Sequence, residues 1–94
     1  MTQWEYLLVR SGSAGLYVVV SPAKARALSE LLARSLTHPS NPKAQVRLSV
    51  GDEIDLGGID WTDLLDTLGT QGWELVSTNP EQFGMRLYFK RAVP

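Results

Sequence analysis

The stretch Asp60-Trp61-Thr62-Asp63-Leu64-Leu65-Asp66-Thr67-Leu68-Gly69-Thr70-Gln71-Gly72-Trp73-Glu74-Leu75-Val76 changes its periodicity once, and that change decides the fold class. Trp61, Leu64, Leu65 and Leu68 fall at i, i+3, i+4 and i+7, the spacing of one face of an α-helix, and Asp60 stands where it can cap the free N–H groups at the start. Gly72 accepts the left-handed backbone that ends such a helix. From Trp73 to Thr78 the chain reads as a strand. A helix delivered within a residue or two into a strand places both in one α+β unit.

Working outward, Gln3 to Arg10 is aromatic and β-branched enough for a strand, and Leu16 to Val20 is its return, joined through a long, loosely specified loop at Ser11-Gly12-Ser13-Ala14-Gly15. Ser21-Pro22 opens a helix that runs to about Leu36, because proline's fixed φ suits the first helical position. Ala25, Leu28, Leu31, Leu32 and Leu36 give it one apolar stripe; Arg26, Glu30 and Arg34 lie four apart on the other side. Thr37 to Lys43 is a loop. Ala44 to Val50 alternates, with Val46, Leu48 and Val50 opposed to Gln45, Arg47 and Ser49, as in a strand with one wet face. Gly51 to Gly58 reads as a second loop, pinned by Ile54 and Leu56. Across Asn79 to Gly84 the last strand follows, Met85 to Arg91, with Met85, Leu87 and Phe89 on one side and Arg86, Tyr88 and Lys90 on the other. The predicted order is β-β-α-β-α-β-β: a mixed or antiparallel sheet of about five strands, two helices on one face, and residues 1–94 as a single domain.

That arrangement leaves apolar surface unaccounted for. Trp4 to Val9 and Leu16 to Val20 carry apolar side chains on both sides, and strands of that kind are buried on both faces. With both helices on one face, a second subunit is the expected cover for the other; folding of the loops at 37–43 and 51–58 over it is the alternative.

The 94 residues are 44% hydrophobic and 20% charged, a globular composition, and contain no cysteine, which excludes disulfides, thiolate zinc sites and thiol nucleophiles. An acidic rather than basic N-terminal region and the lack of a ~20-residue apolar run argue against a signal peptide or a membrane span, so a cytoplasmic location is expected. A net charge of −1 gives no reason to expect nucleic acid or an anionic membrane as partner. The charges are segregated: Arg10, Lys24, Arg26, Arg34, Lys43 and Arg47 are accompanied by Glu30 alone, whereas Asp52, Glu53, Asp55, Asp60, Asp63 and Asp66 run without a base. Two solvated surfaces of opposite sign account for this; so would an acidic patch meeting a basic patch on a neighbouring subunit.

No catalytic or metal-binding signature stands out, and no cofactor is called for. His38 titrates nearest neutrality but sits beside Pro39 with no nucleophile to serve. An EF-hand counted from Asp52 would need oxygen ligands where Ile54 and Leu56 stand. Gly57-Gly58 is followed by no lysine and forms neither phosphate-cradling motif. Trp61 and Trp73, at the two ends of one helix, suit core packing better than an aromatic cage. The candidate binding residues are Arg47, Arg86, Tyr88 and Lys90: their outward phases would put three cations and a ring on one surface if their strands are neighbours, a patch fit for a small anionic ligand. A solvated edge that discourages strand aggregation is the plainer account.

Three segments, Trp4-Glu5-Tyr6, the run Leu64 to Ser77 containing Gly72-Trp73-Glu74-Leu75-Val76, and Tyr88-Phe89-Lys90-Arg91, together resemble a family of small bacterial and phage proteins known as a domain of unknown function, number 4177 of that series. The resemblance covers the first ten residues and those from about Trp61 onward. Residues 11 to 58 are longer than that family's usual connection. It implies the fold and brings no activity, cofactor or site residue.

The sequence therefore points to a non-enzymatic, homo-oligomeric binding or interaction module, with a ligand or partner held near a subunit interface or on the Arg47, Arg86, Tyr88 and Lys90 surface, where a small anionic ligand would fit. The alternatives are a small enzyme using Asp52, Asp55 and His38 between subunits, and a structural partner of a larger protein.

Overall fold

In the computed structural model, which describes residues 2–12, 15–37, 42–49, 51, 53–82 and 84–93, six antiparallel strands and two helices follow the order β1 (Trp4–Gly12), β2 (Gly15–Val19), α1 (Pro22–Leu36), β3 (Gln45–Leu48), β4 (Glu53–Gly57), α2 (Trp61–Thr70), β5 (Glu74–Glu81) and β6 (Gly84–Ala92). The class is α+β, as the periodicities indicate. The strands lie in one sheet in the order β3-β4-β2-β1-β6-β5.

The sixth strand corrects the reading of residues 51–58 as a loop. Glu53 to Gly57 form β4, which pairs with β2 through Val18↔Ile54 and Leu16↔Leu56 and with β3 through Leu48↔Ile54 and Val46↔Leu56. Ile54 and Leu56, taken as pins of a loop, are alternate inward residues of a strand and are fully buried. The short, charged segment Glu-Ile-Asp-Leu-Gly carries too few residues to announce its period. The first hairpin is likewise tighter than expected: Gly12 pairs with Gly15, leaving a two-residue connection.

Register fixes which side chains go inside. Leu7, Val9, Leu16, Val18, Ile54, Leu56, Leu87 and Phe89 share one face and meet Ala25, Leu28, Leu32 and Leu36 of α1 and Leu64 and Leu68 of α2 in one continuous core. Both helices thus cover the same face. Trp73 is buried in this core and Trp61 packs against it, which settles both tryptophans as packing residues rather than a cage. Leu65, placed on the apolar stripe of α2 by spacing, remains exposed.

The helix ends differ from expectation on one side only. Neither Ser21 nor Asp60 makes a side-chain capping hydrogen bond; each instead offers its backbone carbonyl, to the N–H of Lys24 and of Leu64 respectively. The C-terminus of α2 closes as its glycine suggests. Gly72 has φ +88°, the N–H of Trp73 donates to the carbonyl of Leu68 at 3.0 Å, and that of Gly72 donates to Gly69. Trp73 and Leu68 are also packed in the same core, so the bend that starts β5 carries its own apolar contact. An alanine at Gly72 would hold a side chain in the left-handed region, so Gly72→Ala is expected to lower stability by about 1–2 kcal/mol in urea unfolding, against about 2–5 kcal/mol for Leu32→Ala in the core.

Candidate functional site

The face of the sheet away from the helices carries Trp4, Tyr6, Leu8 and Arg10 of β1, Tyr17 and Val19 of β2, Glu53 and Asp55 of β4, Arg47 of β3, and Arg86, Tyr88 and Lys90 of β6. Tyr6 is 67% exposed and Trp4 42%. Residues 53–57, one of the two segments considered as a cover, are part of the sheet itself; of the other, Pro42 and Lys43 are exposed and 38–41 lie outside the described residues.

The four binding residues drawn from the sequence do share this face, but their strands are not neighbours. One lateral row runs Arg47, Asp55, Tyr17, Arg10, Arg86, Asn79, so Arg47 and Arg86 stand four strand spacings apart, about 19 Å. Arg86, Tyr88 and Lys90 lie together on β6, and Arg10, which the sequence reading left out, completes the cluster instead of Arg47. These cations are already engaged within the chain. Arg10 binds the Glu53 carboxylate at 2.9 Å and lies over the Tyr17 ring, 5.4 Å from its centroid. Arg86 pairs with Glu81, and Tyr88, then Glu81, raise its pKa above the ordinary value. Lys90 sits 4.2 Å over the Trp4 ring.

The acidic stretch is dispersed. Glu53 and Asp55 project from β4 beside Arg10 and Arg47, Asp60 precedes α2, and Asp63 and Asp66 are exposed on it. No grouping of three His, Cys, Asp or Glu side chains suited to a metal ion occurs among the described residues. His38 and Asp52, the other members of the enzyme alternative, lie outside the described residues. No helix among the described residues is long and apolar enough to cross a membrane.

A second polar constellation, which the sequence reading missed, lies on the helix side of the sheet. Glu5 has the same inward phase as Leu7 and Val9 and is only 9% exposed. One of its carboxylate oxygens accepts from Lys24 of α1, the other from Nε of Arg91 on β6, directly across the strand pair. Arg91 also donates through Nη1 to the backbone carbonyl of Gln71 at 3.0 Å and lies over the Trp73 ring, 4.4 Å from its centroid. Three elements therefore meet on one carboxylate. The Lys24 hydrogen bond holds the Glu5 carboxyl below its ordinary pKa of 4.5; burial opposes this, and Arg91 adds to it. Glu5, Trp73 and Arg91, from three distant segments of the chain, converge here. Comparison with protein-family models, curated proteins and solved structures finds no match to the chain.

Because its folded pKa is lowered, ionised Glu5 stabilises the fold above the ordinary value of 4.5, and that stabilisation is lost as pH falls through the lower folded value. Urea unfolding between pH 3 and 7 should show Glu5→Gln less stable than wild type by about 1–3 kcal/mol at neutral pH, with the gap closing on acidification. A gap independent of pH would remove the carboxylate from this account.

Proposed function

We propose that the protein is a non-enzymatic interaction module that works as a homo-oligomer, two copies meeting through the open faces of their sheets. The observation that carries this reading is the row structure of that face. Leu8, Val19, Tyr17 and Tyr88 give it apolar and aromatic surface, and charge is unevenly divided across it: on the side of β3 and β4 the carboxylates Glu53 and Asp55 outnumber Arg47, and on the other side the cations Arg10, Arg86 and Lys90 outnumber Glu74 and Glu81. A two-fold axis parallel to the strands, passing between β1 and β2, keeps each row at its own height and exchanges the two halves. Leu8 then meets the partner's Val19, Tyr17 meets the partner's Arg10, and Asp55 meets the partner's Arg86. A surface whose two halves are complementary in charge and alike in apolar content matches itself, which is what an isologous contact requires.

The internal partners of Arg10, Arg86 and Lys90 favour this reading over a small anion held on the Arg47, Arg86, Tyr88 and Lys90 surface. An incoming anion would compete with Glu53, Glu81 and the Trp4 ring. A second sheet brings one carboxylate to this cluster, Asp55 to Arg86, and leaves the Arg10–Glu53 pair and the Lys90–Trp4 contact as they stand.

Native mass spectrometry and light scattering should give a discrete oligomer of the 10.4 kDa chain at micromolar concentration. Leu8→Glu at the centre of the face is expected to weaken the association by at least about 2 kcal/mol, some thirtyfold in dissociation constant. Asp55→Arg and Arg86→Asp should each weaken it, and the double variant should recover part of the loss. A wild-type monomer at these concentrations would end the proposal and leave the chain as the structural partner of a different protein.

A further inference from the structure

We infer that the cleft between the N-terminal half of α1 and the ends of β1 and β6 is a binding site for a small amphipathic monoanion, a carboxylate carrying a short hydrocarbon chain. The inference does not rest on the pairing of sheet faces, because this cleft lies on the opposite side of the sheet.

The cleft encloses about 330 Å³, at the small end of ligand pockets, which span roughly 300–1,000 Å³. Its origin is visible in α1. Ala23, Ala27 and Leu31 follow one another at four-residue steps along one line of the helix, and the first two are alanines. Larger residues at those exposed positions would overhang the cleft from the flank of the helix; the alanines leave it open, walled by Leu28, Leu31 and Val20, with Trp73 completing the apolar lining.

The polar end of the cleft is Glu5, Lys24 and Arg91. Two cations share one carboxylate, so the group carries a formal excess of one positive charge. Glu5 is satisfied: each oxygen has its own cation. Lys24 gives one hydrogen bond, to Glu5, and its side chain is half exposed, so the ammonium has donor capacity remaining at the mouth of the cleft. Arg91 uses Nε on Glu5 and Nη1 on Gln71 and keeps Nη2. One excess positive charge with point-like donors suits a single carboxylate, whereas a dianionic phosphate would leave charge uncompensated next to Glu5. Mostly apolar walls then select a hydrocarbon tail over a sugar or a nucleotide. This is the combination expected of a small-molecule site: an apolar cavity with a few convergent polar groups.

The test is a calorimetric and NMR titration of the wild-type protein with octanoate, octanol and octylammonium. Octanoate should bind at least about tenfold more tightly than either of the others, with amide shifts confined to α1, the end of β6 and Trp73. Lys24→Gln should bring octanoate to within about threefold of octanol, the difference between them being the charge contact. Ala27→Trp and Ala27→Leu, both at an exposed helix position, should reduce octanoate binding in the order Trp then Leu while leaving the far-ultraviolet circular dichroism unchanged. Leu8→Glu, on the other side of the sheet, should bind octanoate as the wild type does, whatever its oligomeric state. Octanoate binding no tighter than octylammonium, or binding untouched by Ala27→Trp, overturns the inference.

Discussion

Strand register is the constraint on which the rest depends. β1 lies between β2 and β6, and its pairing with both, Val9↔Val18 on one side and Val9↔Leu87 on the other, assigns each β1 side chain to a face with no freedom left over. A slip of one residue would exchange Leu7 and Val9 for Tyr6 and Leu8 in the core and lift Glu5 away from Lys24 and Arg91. The helices follow from this choice. Ten residues of α2 and fifteen of α1 cover the inner side of β1, β2, β4 and β6, whose inward phases decide which side that is, while β5 stays exposed along its length.

Burial of Glu5 is tolerable because of where it lies on that inner face. It closes the apolar line Val9, Leu7 at the end of β1 nearest solvent, and Arg91 closes the line Leu87, Phe89 on the neighbouring strand in the same way. A carboxylate taken out of water by itself would be costly. Here it is shared between a cross-strand guanidinium and a helix ammonium, both partly wet, which keeps the desolvation of the cations small. The same contacts tie α1, β1 and β6 to the end of α2, because Arg91 reaches the Gln71 carbonyl just before the Gly72 bend. On the opposite face charge serves differently, flanking an apolar centre and paired across strands.

Much of the architecture is legible in the sequence because it rests on long periodic segments. The two helices, the glycine stop at Gly72 and the outward phase of Arg86, Tyr88 and Lys90 all follow from spacing. β4 escapes because five residues with two acids and two inward apolar side chains look like a pinned loop until β2 and β3 stand on either side. Strand order is not encoded locally at all, which is why Arg47 joins Arg86 in phase but not in space. Glu5 shows a different limit. Trp4, Tyr6 and Leu8 are as apolar as Leu7 and Val9, so alternation alone does not tell which set is inside, and a charge set between Trp4 and Tyr6 reads as an exposed one. Its partners, Lys24 and Arg91, come from distant parts of the chain.

The strand order also bears on how the molecule comes into being. β1 lies inside the sheet and β6 beside it, yet their register pairs join residues 74 to 88 positions apart, from Ser11↔Met85 to Trp4↔Ala92. During synthesis β1 emerges early and can pair with β2, but its other edge waits until β6 has left the ribosome. Until then the β1 edge of the hairpin offers unpaired backbone groups, although β4 can already cover the β2 edge, and the inner face lacks Leu87 and Phe89. Loop closure over that span is entropically costly, so completion of the sheet should be a late event dominated by non-local pairing. The nascent chain thus passes through an interval in which its most apolar strands are the least protected, and a chaperone that holds exposed strands would have its opportunity there.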